Sequence, residues 1–283
     1  MSKNIIHIVM SASGGSGNTT ISVNMIDAIN GAYGIDTDRL TKRLGEYKHI
    51  PKIEIPLQED EEQYTTEMLD NIINTFEKDD TIHDIIIDAD KIQTLNLIDV
   101  LLDREAIQAL KGCGIEVLFH IIVPSSGMAE NTLMGKKLMS YSNLLNDASI
   151  VVWINEYLEP LSYDKELCND IKSVMKNELT TLLDKKLNLI IEVPYASNQT
   201  RAIIRDYIIT TNSSKDTAIT INEKRASVLT KHAISQYFSF YHQKVAQIKE
   251  VWEKNSSEKK GSESSVDNGI ETVLPVTEEY QYE

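Results

Sequence analysis

Cysteine is scarce: Cys113 and Cys168 are the only two among 283 residues, and they stand far apart with no C-x-x-C pair and no neighbouring metal ligands. That excludes a disulfide framework, and the expectation is two buried free thiols in a reducing compartment. Histidine is equally unpatterned. The six show neither H-x-H nor H-E-x-x-H spacing, and surface or packing roles are expected for them. Positive charge is short as well: 28 Lys and Arg face 43 Asp and Glu, a net charge of −15, so the chain as a whole repels nucleic-acid phosphates. Direct DNA binding is therefore disfavoured, although Arg201, Arg205, Lys224 and Arg225 could make a local basic face. No apolar run is long enough to span a membrane. The opening MSKNIIHIVMSASGG has one lysine and an apolar stretch interrupted by His7, which fits neither a signal peptide nor a span. A cytoplasmic protein is expected.

What is present is an ordinary globular composition, 41% hydrophobic and 25% charged. The length allows one large α/β domain or two small ones, and the pattern favours one domain over residues 1–252 with an acidic, disordered tail over 253–283. Apolar runs alternate with amphipathic stretches. Ile5 to Met10, Asp84 to Asp90, Ile115 to Val123, Ile150 to Ile154 and Leu187 to Val193 read as strands buried on both faces. A further β-like stretch covers Ile50 to Leu57. Helical spacing marks Thr19 to Asn30, Thr66 to Phe76, Ile98 to Leu110, Asn131 to Leu145 and a long C-terminal helix from Glu223 to about Lys254. Strands alternating with helices predict a doubly wound, mostly parallel sheet.

The loop after the first strand carries the chemistry. Ser13-Gly14-Gly15-Ser16-Gly17-Asn18-Thr19-Thr20 lies between a strand and a helix. Glycines there let successive backbone N–H groups curl toward a phosphate, and the helix N-terminus adds partial positive charge. In that reading Thr19 supplies a hydroxyl to Mg²⁺. A Gly-rich turn is also an ordinary strand-to-helix connection, and the loop alone leaves the two readings level. A G-x-S-x-G nucleophile elbow around Ser16 fails, because its last position is Asn18.

With the blocks that follow, these residues resemble the ParA/MinD branch of P-loop ATPases, whose loop reads K-G-G-x-G-K-[ST], and within it the TraL-type conjugal transfer proteins. Ile35-Asp36-Thr37-Asp38 is similar to the branch's I-D-T-D block, and Ile86-Ile87-Asp88 to its second acidic strand end. His120-Ile121-Ile122-Val123, Val151-Val152-Trp153-Ile154-Asn155-Glu156 and Val193-Pro194 resemble its later blocks. The resemblance runs from about Ile5 to Tyr241. It implies a P-loop fold, ATP and Mg²⁺ as cofactors, a homodimeric switch, and partners from conjugation or plasmid partition. It also implies Gly14, Gly15, Gly17, Asn18, Thr19 and Thr20 as the phosphate cradle, Thr19 with Asp36 and Asp88 around the metal, Asp38 orienting water, and Asn155 with Pro194 framing the base. On the residues themselves, the acids are equally well read as loop-end caps and Asn155 as a turn residue.

The loop departs from that pattern in its charges. Ser13 and Asn18 stand where the branch has its two lysines, and Asp90 where it has a glycine. Losing one charge-assisted hydrogen bond costs about 1.5–3 kcal/mol, roughly ten- to more than a hundredfold in affinity. Arg39, Lys42 and Arg43 are the nearest cations in sequence and are expected to be solvated. The expectation is weak ATP binding at a degenerate site, in conjugative transfer or plasmid maintenance. The alternative is a nucleotide-independent adaptor that recruits its partner through its surface.

Overall fold

A computed structural model describes residues 3–11, 15–38, 42–47, 49–56, 60–103, 106–124, 149–157, 162–183, 187–198, 200–202 and 228–263. In chain order these form β1 (Asn4–Ser11), α1 (Asn18–Ala28), β2 (Tyr33–Asp36), a short 3-10 turn (Arg43–Glu46), α2 (Glu61–Lys78), β3 (Asp84–Asp88), α3 (Lys91–Asp103) and α4 (Ala106–Gly112). They continue with β4 (Ile115–Pro124), β5 (Ser149–Asn155), α5 (Lys165–Leu183), β6 (Leu187–Val193) and α6 (Val228–Glu263). The six strands make one parallel sheet in the order β2-β3-β1-β4-β5-β6. The doubly wound parallel α/β fold read from the alternation of runs is the observed one.

Each face of the sheet carries its own apolar layer, which is why the strands read as continuous apolar runs rather than alternating ones. On one face Ile6, Ile8, Met10, Ile85, Ile87, Phe119 and Ile121 meet Met68 and Ile72 of α2 and Leu97, Ile98 and Leu101 of α3. On the other, Ile5, Val9, Ile86, Leu118, Ile122, Val151 and Trp153 meet Ile21 and Met25 of α1 and Tyr241, Val245 and Ile248 of α6. α2 begins at an Asp60 cap, whose carboxylate accepts the Gln63 N–H at 2.7 Å, and so starts earlier than its apolar stripe suggests.

The long C-terminal helix lies against the sheet. Ile234, Tyr237, Tyr241, Val245, Ile248 and Trp252 recur every three or four residues and are all buried, so the stripe is used inside the molecule. The helix extends past Lys254 to Glu263, and residues 264–283, most of the expected tail, lie outside the described residues. The expected helix at 131–145 also lies outside them.

Several expectations are corrected. Residues 50–56 form no strand but touch β2 through the single bridge Gly34–Lys52, because Pro51 and Pro56 lack the N–H groups that a ladder needs. The helical stretch at 98–110 is divided between α3 and α4. α5 was not anticipated: it exposes Leu167 and Val174, so its apolar positions do not trace a buried stripe. Cys113 is exposed in the turn after α4, and Cys168 is only half buried on α5, where its thiol donates to Glu156 at 3.3 Å. Among the described residues no helix is long and apolar enough to cross a membrane.

Phe119 is 1% exposed at the centre of the first apolar layer. Phe119→Ala is expected to cost about 3–5 kcal/mol, read as a lower urea midpoint with an unchanged slope.

Candidate phosphate-loop site

β1 and β3 are neighbours whose continuations leave on opposite faces, β1 into α1 and β3 into α3. Such a divergence marks the carboxyl ends of the strands, where open parallel sheets place their ligands. The described part of the glycine-rich loop, residues 15–17, leads from there into α1. Gly15 and Gly17 have φ of +76° and +102°, left-handed values that let the chain double back, and Gly17 caps the N-terminus of α1. Ser13 and Gly14 lie outside the described residues.

Amides and hydroxyls fasten the loop. Ser16 is buried and donates to the Ser11 hydroxyl at 2.5 Å. Asn18 donates its amide to the Ala89 carbonyl just beyond β3 at 2.8 Å. From the end of β5, Asn155 donates to the Ser16 carbonyl at 2.7 Å and accepts the Tyr157 N–H at 3.1 Å. A Cβ on Gly17 would stand 2.5 Å from that Asn155 amide, so this position excludes a side chain by contact as well as by φ. Thr20 offers its carbonyl to Asn24 at 2.6 Å.

The acids sit around the loop in distinct settings. Asp36 accepts the N–H of Asp38 at 2.9 Å on one oxygen and that of Leu44 at 2.8 Å on the other. Burial raises its pKa, partly offset by these backbone bonds. Asp88 is 5% exposed and accepts the Ser22 hydroxyl at 3.2 Å and a bond from Thr19. Burial lifts it to about 7 against those hydroxyls, with the charges of Asp36 and Asp38 adding to the rise. Asp90 caps α3, its carboxylate accepting the Gln93 N–H at 2.6 Å.

Thr37 is the residue that sequence reasoning passed over. Buried between the two acids of its block, it donates its hydroxyl to the Asp88 carbonyl at 3.0 Å and accepts the Asp90 N–H at 3.0 Å, which ties β2 to β3. Its place between two acids in a strand-end block was the available signal. Pro194 is exposed beyond β6, and Lys42 and Arg43 are exposed. Arg39 lies outside the described residues.

The backbone fits a phosphate group: two left-handed glycines open onto the N-terminus of a three-turn helix. Of the residues implied around a magnesium ion, Asp36 holds a backbone N–H on each oxygen and Asp88 accepts the Ser22 and Thr19 hydroxyls, and among the described residues no three His, Cys, Asp or Glu side chains are grouped together.

No protein-family model matches this chain, and no curated protein sequence matches it. Among solved structures it is similar to an ATP complex of a substituted McdA from Cyanothece, at 13% identity over 87% of this chain and 96% of that one, with a TM-score of 0.43.

Two outcomes follow from the geometry. Gly17→Ala is expected to lose stability, and to lose less of it when Asn155→Ala is also present, because the second change removes the contact but not the φ strain. The two should be non-additive by about 0.5–3 kcal/mol in urea melts. A carboxyl whose folded pKa is raised from its ordinary 3.8 to about 7 binds more protons folded than unfolded, so its penalty grows as pH rises through that window. Asp88→Asn is expected to stabilise the protein at pH 8, by on the order of 4 kcal/mol at most, and far less at pH 4.

Proposed function

We propose that this chain is a ParA/MinD-like protein of conjugative transfer or plasmid maintenance whose phosphate loop keeps its backbone form but binds ATP weakly. The resemblance of the ordered sequence blocks supports the family and process. The observation that carries the weak site is Asn18: a neutral amide stands in the lysine's position and is bonded to the Ala89 carbonyl at 2.8 Å. An amide there holds the loop against β3 without balancing phosphate charge, and Asp36, Asp38 and Asp90 put carboxyl groups rather than cations at the neighbouring strand ends.

The same bond favours a second reading, the nucleotide-independent adaptor. With Asn18 joined to Ala89, Asn155 to Ser16 and Thr37 to Asp88, the loops are held to one another by the chain's own groups. An adaptor would present its partner-binding surface on that fixed scaffold.

Calorimetric titration with ATP and Mg²⁺ tests both. The natural protein is expected to bind at least about tenfold more weakly than the Ser13→Lys/Asn18→Lys variant. No detectable binding by the natural protein, with binding gained by the variant, selects the adaptor. Micromolar binding by the natural protein overturns the weak-site reading and selects an ATP-operated switch.

A further inference from the structure

A line of polar side chains crosses four strands beneath α6, on the otherwise apolar face and away from the phosphate loop. Trp153 Nε1 on β5 donates to His120 Nδ1 on β4 at 3.1 Å. His120 Nε2 is 3.0 Å from His7 Nδ1 on β1, and His7 Nε2 is 3.0 Å from Asp84 Oδ1 on β3. Lys249 of α6 donates to the other Asp84 oxygen at 3.1 Å. The four sheet residues are each at most 5% exposed, wholly within the interior, while Lys249 sits at the edge.

The two ends decide where every proton lies. An indole N–H only donates and a carboxylate only accepts. His120 must therefore leave Nδ1 bare and carry its proton on Nε2. That proton points at His7, so His7 Nδ1 is bare too, and its own proton on Nε2 goes to Asp84. With both rings neutral, each bond has one proton and each proton one bond.

A further proton has no place in this line. On His120 Nδ1 it meets the indole N–H donor to donor. On His7 Nδ1 it obliges His120 to turn its proton around, with the same collision at Trp153. Burial holds the His120 pKa well below the usual histidine range, and a positive charge on His7 would lower it further.

Both ends of the line are contacts with α6. Trp153 stacks on Tyr241 with ring centroids 6.3 Å apart, and Asp84 holds Lys249. From β3 to β5 is three strand spacings, about 14 Å. From Tyr241 to Lys249 is about 12 Å of helix, so α6 runs along the line and is held at each end. We propose that this line is a pH-sensitive clamp on the C-terminal helix. Neutral histidines keep α6 on the sheet, and one proton taken up by the His7–His120 pair loosens the helix at Trp153 and Lys249 before the sheet opens.

The other titratable groups packed here do not produce that effect. Lys3 bonds Glu116 at 2.6 Å and lies over the Trp252 ring, and His83, just before β3, bonds Asn4 at 3.3 Å. Burial raises the hydroxyls of Tyr237 and Tyr241 out of the range in question. From α1, Asp27 faces His242 of α6 at 3.6 Å. Protonating His242 strengthens that pair, so it opposes release.

Two measurements on the full chain test the clamp. Nitrogen-15 NMR of the histidine rings at pH 7.5 is expected to show His7 and His120 both protonated at Nε2 alone, and an Nδ1–H form of either overturns the proposal. Hydrogen exchange from pH 7.5 to 5.5, corrected for intrinsic rates, is expected to show α6 opening up to about tenfold more for each pH unit below about 6.5, ahead of β1 and β4. Unchanged α6 protection, or α6 and the sheet opening together, overturns it. His7→Gln/His120→Gln is expected to abolish the pH dependence and His242→Gln to leave it in place. The reverse result for either variant transfers the effect elsewhere and also overturns the clamp.

Discussion

β1 is paired along both edges and covered on both faces, so every polar atom it carries must find its partner inside the protein. The rest of the structure follows from how that demand is met. Midway along the strand, His7 meets it sideways, through Asp84 on one neighbouring strand and His120 on the other. At the carboxyl end the Val9 carbonyl takes the Ala89 N–H and Ser11 takes the Ser16 hydroxyl, which places the start of the glycine-rich loop beside the end of β3. The fastened glycine-rich loop and the buried histidine line are two answers to one constraint.

Around the loop the answers are neutral. A lysine at position 18 would bring a long reach and a charge, whereas Asn18 brings a short reach and two amide hydrogens, one of them given to Ala89. Asn155 does the same from β5, and Thr37 from β2. These bonds settle geometry but leave the negative charge of the strand ends uncompensated by them. The result is a glycine-rich loop fastened by neutral groups, with Asp88 bonded to Ser22 at 3.2 Å on the helix that follows it.

The fold was legible because parallel strands buried on both faces leave apolar runs that no helix period explains, as at Asp84 to Asp88 and Ile115 to Pro124. It became illegible where burial was partial. α5 exposes two of its apolar residues, and the stretch around Ile53 and Ile55 alternates like a strand while its prolines deny it a ladder. At the site, the residues that surround the loop were readable from their blocks, but their partners were not. Asn155 bonding Ser16 and Asn18 bonding Ala89 join positions 139 and 71 residues apart, and nothing local in sequence announces such pairs. The histidines were unreadable for a related reason. His7, Asp84 and His120 have no motif spacing, since they become neighbours only through strand order.

Two places on this strand system respond to protons in opposite senses. At the carboxyl ends Asp88, raised from its ordinary 3.8 to about 7, takes a proton more readily folded than unfolded, so acid relieves a penalty that is largest above that window. Beneath α6, His120 takes one less readily folded than unfolded, so stability present above about 6.5 is lost as pH falls. Between about pH 4 and 7 the two linkages subtract. A global melting curve then understates both, whereas on the proposed clamp exchange at the C-terminal helix reads the histidine linkage alone. On the proposed clamp, local opening reports the pH dependence better than overall stability, because Asp88 at the carboxyl ends and the histidine line midway along the same strands answer a proton in opposite senses.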